Sequence, residues 1–429
     1  MYKNIVNKNI VPLFFRNKRQ YCTSTTFSNN NNNNYSNNIN NNININNIIQ
    51  QQQLKQQQEE LQYPLTNDDL QQFENNGYLI KSNLIPEQLL LQHQVELRDY
   101  LKSNAGIDFG NSVIDSTEES KMVEQQEQKL SLVSNGFGGM INFYHGKYLY
   151  EIRQHENLYH SFVQLYQRTY AKQREQSFNE MNQWPNEYGD FDPHNMFMFI
   201  NRCCFRVPHS IQQEDKIKHQ KGTGSHLDCN PYHLFRGEKL IDGTVKQIPL
   251  RFWQPIQAFV NLTDTFTMNQ GGFWTIPGFH KQCVEYFRDK FPQKVSSPTT
   301  TTTEIISTLK RGNAFDFDDH LYKELIDKFQ FIPMKRGDVL FWDWRMPHHN
   351  DKYHLGPLIR EVVYAAHLPD VSVNQLYAKQ QQQWYETGSH PSYVAKQFAD
   401  LEKKNYSPPP LSPIGQHLIY GFPKKHELN

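Results

Sequence analysis

Acid is missing from the first 58 residues. The first carboxylate is Glu59, whereas Lys3, Lys8, Arg16, Lys18 and Arg19 all precede it. The overall balance of 44 basic and 44 acidic residues therefore hides a body that is mildly acidic. Such a body gives no electrostatic reason to expect a nucleic acid or an anionic membrane as partner. Cysteine is scarce and odd in number, at Cys22, Cys203, Cys204, Cys229 and Cys283, with no CxxC spacing. That excludes a disulfide framework and a cysteine-based zinc site, and it fits a reducing compartment. Long apolar runs are lacking too. The stretch from Ile10 to Phe15 is short and broken by Pro12, so no membrane span is expected.

What is present at the start is Arg, Lys, Asn, Ser and Thr, the composition of a mitochondrial transit peptide. Arg19-Gln20-Tyr21, followed by Cys22 and a Ser/Thr run, resembles a matrix-protease site cut after Tyr21, which predicts a leader over 1–21. Residues 22–62 are dominated by Asn, Gln and Ile. They offer too little apolar surface to offset chain entropy, and a disordered linker is expected there.

The folded part is expected from residue 63. Thr66 or Asn67 can cap a first helix whose early acids suit the helix dipole, and Asn76-Gly77 can end it. Tyr78 to Ile80 reads as a strand. Pro86 opens a helix to about Leu101, and a further helix is expected from Tyr150 to Arg174. Strands are expected at 196–205, 251–262, 273–276, 338–344 and 359–367, where β-branched and aromatic residues concentrate. The Ser/Thr run at 296–303 reads as a loop insertion. Helices at 375–387 and 392–404 and a Pro-rich stretch at 408–413 follow. The fold class expected is mainly β with flanking helices, a β-sandwich or jelly roll. A helical part over 63–190 precedes a β core over about 191–370, and residues 371–429 form a helical and Pro-rich extension.

The sharpest local signal is His226-Leu227-Asp228. On a strand, positions i and i+2 point to one face, so an imidazole and a carboxylate converge as two metal ligands should. A third ligand can come from Arg345-Met346-Pro347-His348-His349-Asn350, which follows an apolar strand. Two histidines and one carboxylate define the facial triad of non-haem Fe(II) oxygenases, which leaves coordination positions open. Arg360 lies on the next strand. A guanidinium holds a carboxylate bidentately and stays charged when buried, so it can anchor the far end of a dicarboxylate. The order suits 2-oxoglutarate. His233, His280 and His354 are nearby and read as structural or surface residues. Pro277-Gly278 reads as a turn, and Trp342 and Trp344 as core.

At these motifs the chain resembles the phytanoyl-CoA dioxygenase family over most of residues 63–370. The resemblance rests on LTNDDLQQFENNGYLIKSNLIPEQ at its start, HLD at 226–228, FVNLTDTFTMNQGGFWTIPGFHK with its Gly271-Gly272 and Pro277-Gly278-Phe279-His280 turns, and RGDVLFWDWRMPHHN followed by Arg360. It implies a double-stranded β-helix (jelly roll, cupin-like) core using Fe(II), 2-oxoglutarate and O2. It implies His226, Asp228 and His348 as iron ligands and Arg360 as the anchor for the distal carboxylate. His348 stands in the usual Arg-x-Pro-His context. The family's usual gap from this histidine to the arginine is about eleven residues, whereas His348 precedes Arg360 by twelve and His349 by eleven, which keeps His349 as the alternative. Gln257, Phe259 and Asn350 are expected to line the cosubstrate pocket, with ordinary strand packing as the other reading.

The expected reaction is hydroxylation of an aliphatic carbon of a small organic or acyl substrate, with release of succinate and CO2. Asp228 favours this, or less often desaturation, over halogenation, because related halogenases lack that carboxylate. Two rivals are a β-helix binding module without turnover and a zinc hydrolase. The complete set of site residues argues against the first, and Arg360 is unexplained by the second. Substrate identity and oligomeric state are not readable.

Overall fold

The computed structural model describes residues 63–421 apart from 109–126, 172–183, 209–219, 232–251, 291–313, 392–397 and some isolated positions. The chain divides into units Met1–Glu59 and Glu60–Asn429, and all described residues lie in the second. The expected leader, the Asn/Gln linker, the Ser/Thr loop, His233 and most of the helix at 392–404 fall outside the described residues.

Helix α1 (Asn67–Asn76) begins with a capping box in which Thr66 accepts from the Asp69 backbone and Asp69 accepts from the Thr66 backbone. It ends at Gly77, whose φ of +73° only glycine adopts without strain. A Cβ there would also lie 2.4 Å from the Met346 sulfur and 2.5 Å from His280 Nδ1. This close approach lets strand β1 (Tyr78–Lys81) leave α1 directly into a sheet. Helix α2 (Glu87–Ala105) and strand β2 (Met140–Ile141) follow.

The single helix expected over 150–174 is two helices, α3 (Lys147–Arg153) and α4 (Glu156–Arg168). The break has a physical cause. Gln154 turns its amide to the Pro410 carbonyl and the Ser412 N–H, and His155 caps α4 by accepting from Asn157 N. The expected strand over 196–205 is likewise two, β3 (Met196–Phe199) and β4 (Cys203–Arg206). At the break, Ile200 N donates to the Gln381 side chain rather than to a neighbouring strand. After β5 (His226–Leu227), β6 (Ile256–Asn261) and β7 (Phe273–Thr275) come α5 (Cys283–Lys290), β8 (Phe315–Asp316), α6 (Lys323–Ile326), β9 (Gln330–Ile332), β10 (Val339–Asp343) and β11 (His348–Asn350). The strand expected over 359–367 splits into β12 (Arg360–Tyr364) and β13 (Ala366–Pro369). Helices α7 (Ser372–Thr387) and α8 (Pro413–Tyr420) close the chain.

The strands form three antiparallel sheets: β1-β10-β6-β12-β4-β2, β8-β5-β11-β7-β9, and the pair β13-β3. The two splits coincide, since β3 and β13 leave the larger sheet together to pair with each other. The inner strands of the larger sheet, β10, β6, β12 and β4, are largely buried on both faces. Val339 and Phe341 join a core shared with the helices, whereas Leu340 and Trp342 turn the other way and pack with Phe259, Val362 and, from the second sheet, Phe273. The architecture is thus mixed helix and sheet rather than mainly β, because the helices supply much of the first core. Among the described residues no helix is long and apolar enough to cross a membrane. The described cysteines are all buried.

Candidate metal and anion site

Strands β5 and β11 pair antiparallel with His226 directly opposite His348. The alternation along β5 sends Leu227 into the apolar cluster beside its partner Phe315 and leaves Asp228 on the side of His226. Three residues from two chain segments therefore converge. His226 Nε2 lies 3.8 Å from Asp228 Oδ1, and His348 Nε2 lies 3.3 Å from Asp228 Oδ2. All three ligand atoms fall within 4.8 Å of one another. Neighbouring ligands held about 2.1 Å from one ion lie about 3 Å apart, so the spacing is close to that of a shared metal.

The hydrogen bonds orient both rings for this. His226 Nδ1 is 2.7 Å from the Gly224 carbonyl, and His348 Nδ1 is 3.0 Å from the Met346 carbonyl. A carbonyl only accepts, so each Nδ1 carries the proton and donates it, leaving an Nε2 lone pair aimed at Asp228. Burial, reinforced by the neighbouring His226, holds the His348 imidazole down at about 4, so it is an uncharged base at neutral pH. Among the described residues Asp228 accepts no backbone N–H. The three side chains form a group that could hold a metal ion.

His348 is walled in by Phe273 and Trp342, each 5.5 Å away between ring centroids. His349 points to the other side of β11, stacked on Trp274 at 5.6 Å and against Phe329 at 4.7 Å. The loop carrying Met346 is braced from below. Asp343 accepts two bonds from the buried Arg345, at 2.8 and 2.9 Å, and one from the Tyr170 hydroxyl at 2.5 Å.

Arg360 begins β12 and is buried. Its guanidinium lies over Phe259, 5.9 Å from the ring centroid, and Phe259 in turn packs on Phe273 at 5.9 Å. Three other arginines are fully buried, and their charged nitrogens are met by oxygens. Arg153 and Arg206 donate to backbone carbonyls and Arg345 to Asp343. Arg360 differs. Among the described residues its polar partner is the Cys204 sulfur at 3.4 Å, and its Nε has no partner. A buried guanidinium so under-satisfied is poised for an anion. Gly271, at φ +78°, gives it room, since a Cβ there would lie 2.7 Å from Arg360 Cδ.

Of the other expected pocket residues, Gln257 is half-buried opposite Trp342 and shares the face of Phe259. Asn350 sits at the end of β11, where its Oδ1 accepts from the Thr223 hydroxyl at 3.2 Å. Tyr364, which the sequence reading passed over, shares the Arg360 face of β12. Its hydroxyl is raised, first by burial, and its charged surroundings include both Arg360 and Asp228. The signal for it was the i, i+4 alternation from Arg360. His280 is buried against Trp184 and Glu74, and His354 is bonded to the Leu358 carbonyl at 2.8 Å.

A second cluster also gathers ligand-type residues. His145, His390 and Glu402 lie within the same 4.8 Å limit. Glu402 accepts from the backbone N–H groups of Tyr144 at 2.9 Å and His145 at 2.8 Å and from His390 Nε2 at 2.8 Å.

Comparison with known proteins places these features in a family context. The family model described as Gig2-like matches residues 244–406, which include His348 and Arg360 and begin after Asp228. A curated Dictyostelium discoideum protein named "Putative phytanoyl-CoA dioxygenase" is 28% identical over 184 residues, covering 38% of this chain and 46% of the relative. The chain thus spans less than half of that relative's length. The similarity to phytanoyl-CoA dioxygenases seen in the motifs is met by this relative. Among solved structures, a hypothetical protein from Escherichia coli aligns with a TM-score of 0.56 at 14% identity, over 84% of this chain and 86% of that one. A protein titled "Putative Oxidoreductase" from Salmonella typhimurium LT2 aligns at 0.54 and 15% identity, over 83% and 82%. The GlcNAc Inducible Gene 2 protein of Candida albicans aligns at 0.54 and 14%, over 84% and 78%. At these identities the likeness is one of fold.

Proposed function

We propose that this chain is an Fe(II)- and 2-oxoglutarate-dependent oxygenase built on a double-stranded β-helix, hydroxylating an aliphatic carbon of a small organic or acyl substrate. The observation that carries this reading is the convergence of His226, Asp228 and His348 together with a buried Arg360 that has no carboxylate partner among the described residues. A zinc hydrolase needs the first feature but has no use for the second.

In this reading His226, Asp228 and His348 hold the metal through two Nε2 atoms and one carboxylate oxygen. Arg360 holds the distal carboxylate of 2-oxoglutarate, with Phe259 and Gln257 beside it. When bound, iron and 2-oxoglutarate together supply the O2-dependent oxidation, with succinate and CO2 released. The protein's part is to fix the cation, orient the cosubstrate and exclude water. The ring of Phe273, Trp342 and Phe259 does the last.

The test is anaerobic titration of the purified full chain with Fe(II) and then 2-oxoglutarate, followed by absorbance and by succinate release in air. A visible charge-transfer band that needs both additions supports the reading. Iron bound with no band and no succinate overturns it and favours a hydrolase. No metal bound favours a binding module.

A further inference from the structure

Arg206 ends β4 directly opposite Arg360 on β12, yet it spends its charge differently. Its Nε donates to the Gln220 carbonyl at 2.7 Å, Nη1 to the Asp351 carbonyl at 2.7 Å and Nη2 to the Lys352 carbonyl at 2.8 Å. Those carbonyls belong to two segments that both serve the site. Residues 220–224 lead into His226, and Gly224 is the residue whose carbonyl orients that ring. Residues 351–352 follow β11, which carries His348 and Asn350. The junction is tight. Gly222 N donates to the Lys352 carbonyl at 3.4 Å, and a Cβ on Gly222 would lie 2.3 Å from the Asp351 carbonyl oxygen. Thr223 bonds Asn350 across the same seam. Asp351 turns its carboxylate to Gly272 N and the Trp274 indole, which ties the seam to the turn beside Arg360.

We infer that Arg206 is a positioning residue: one buried guanidinium fixes the segments on which His226 and His348 ride to the strand that faces Arg360, and so sets the spacing between metal and anion anchor. The inference rests on the oxygenase reading above. Arg206 touches neither metal nor cosubstrate. Backbone carbonyls at fixed distances need the planar fork of arginine, and the point charge of lysine reaches one or two of them at best. Partners of this outer kind typically change metal affinity by about 10–100-fold.

The experiment uses the full chain as wild type, Arg206→Lys, Gly222→Ala and Arg153→Lys. Arg153 is the control, an equally buried arginine whose partners, the Tyr144, Asn201 and Tyr364 carbonyls, lie on neither segment that carries His226 or His348. Kd for Fe(II) alone, Kd for 2-oxoglutarate in the Fe(II) form and Tm are measured for each. Arg206→Lys and Gly222→Ala are expected to weaken both ligands about tenfold, with a shifted charge-transfer band, whereas Arg153→Lys lowers Tm and leaves both Kd values unchanged. If Arg206→Lys and Gly222→Ala lose only Tm, as the control does, Arg206 is structural and the inference fails while the oxygenase reading stands. If wild type binds no Fe(II), both fail together.

Discussion

Two clusters among the described residues hold two histidines and one carboxylate, and their wiring is opposite. In the His145–His390–Glu402 cluster the protein takes up the carboxylate's lone pairs and both His145 nitrogens, and leaves only His390 Nδ1 without a partner among the described residues. Glu402 caps two backbone N–H groups and accepts from His390. His145 Nε2 donates to the Ser389 carbonyl at 2.8 Å, and its Nδ1 faces the Tyr150 hydroxyl at 3.2 Å. In the His226–Asp228–His348 cluster each Nδ1–H is spent on a local carbonyl, and both Nε2 atoms face a carboxylate that caps nothing among the described residues. The first cluster is closed by protein and staples the segments at 145, 390 and 402 together. The second turns its ligand atoms toward one another in a group that could hold a metal ion. Residue types and proximity do not separate a clamp from a metal site. The fate of each lone pair does.

The largest effects should split the two. Asp228→Ala is expected to abolish metal binding, reducing affinity by more than about 100-fold, with little change in Tm. Glu402→Ala should leave metal content unchanged and cost about 3–5 kcal/mol of stability, because it strands buried donors. Metal analysis and denaturant midpoints on the same preparations decide it. Metal lost from the Glu402 variant at full stability would reverse the assignment. Next in size, His348→Ala should lose the metal, whereas His349→Ala, facing Trp274 and Phe329, should retain it.

Much of the open cluster could be read in the sequence because it is local. His226 and Asp228 are two apart on one strand, and Arg-Met-Pro-His marks the end of another. The register that sets His348 opposite His226 was not readable, since antiparallel pairing joins positions more than a hundred residues apart. Helix starts at Thr66 and Pro86 were visible from capping chemistry. The breaks at 154–155, 200–202 and 365 were not, because each is fixed by a distant segment: the Gln154 amide reaches Pro410 and Ser412, Gln381 takes the Ile200 N–H, and Ala365 N donates to the Ala258 carbonyl. Arg206 and the closed cluster escaped for the same reason: their partners are backbone groups and remote residues, which carry no motif.

A smaller effect should divide the open site itself into its cation and anion halves. Gly271→Ala places a methyl 2.7 Å from Arg360 Cδ at a backbone angle of +78°. Since Gly271 touches no metal ligand, 2-oxoglutarate affinity should fall by about tenfold, roughly 1.4 kcal/mol, while Fe(II) affinity holds. Equal loss of both ligands would mean that the turn supports the whole site and not the anchor alone.

The smallest and most general effect is the response to acid. Burial holds His145, His280 and His367 down at about 4. In the unfolded chain a histidine titrates near 6.5, so between those values the unfolded state binds protons that the native state refuses. Stability therefore falls as pH drops from about 6.5 to about 4, by at most about 1.4 kcal/mol per pH unit for each such histidine. Glu402 adds the same sign. Burial pushes its carboxyl up, but the bonds from His390 and the backbone outweigh this and hold it below the ordinary value. Its stabilisation is present above the unfolded value and is lost as pH falls through the folded one. Denaturant midpoints taken from pH 7 to pH 4.5 should decline, and His145→Gln should flatten the decline by removing one of these histidines. An unchanged slope in that variant would mean that His145 takes up its proton without leaving the fold, and that the closed cluster yields to acid locally before the chain unfolds.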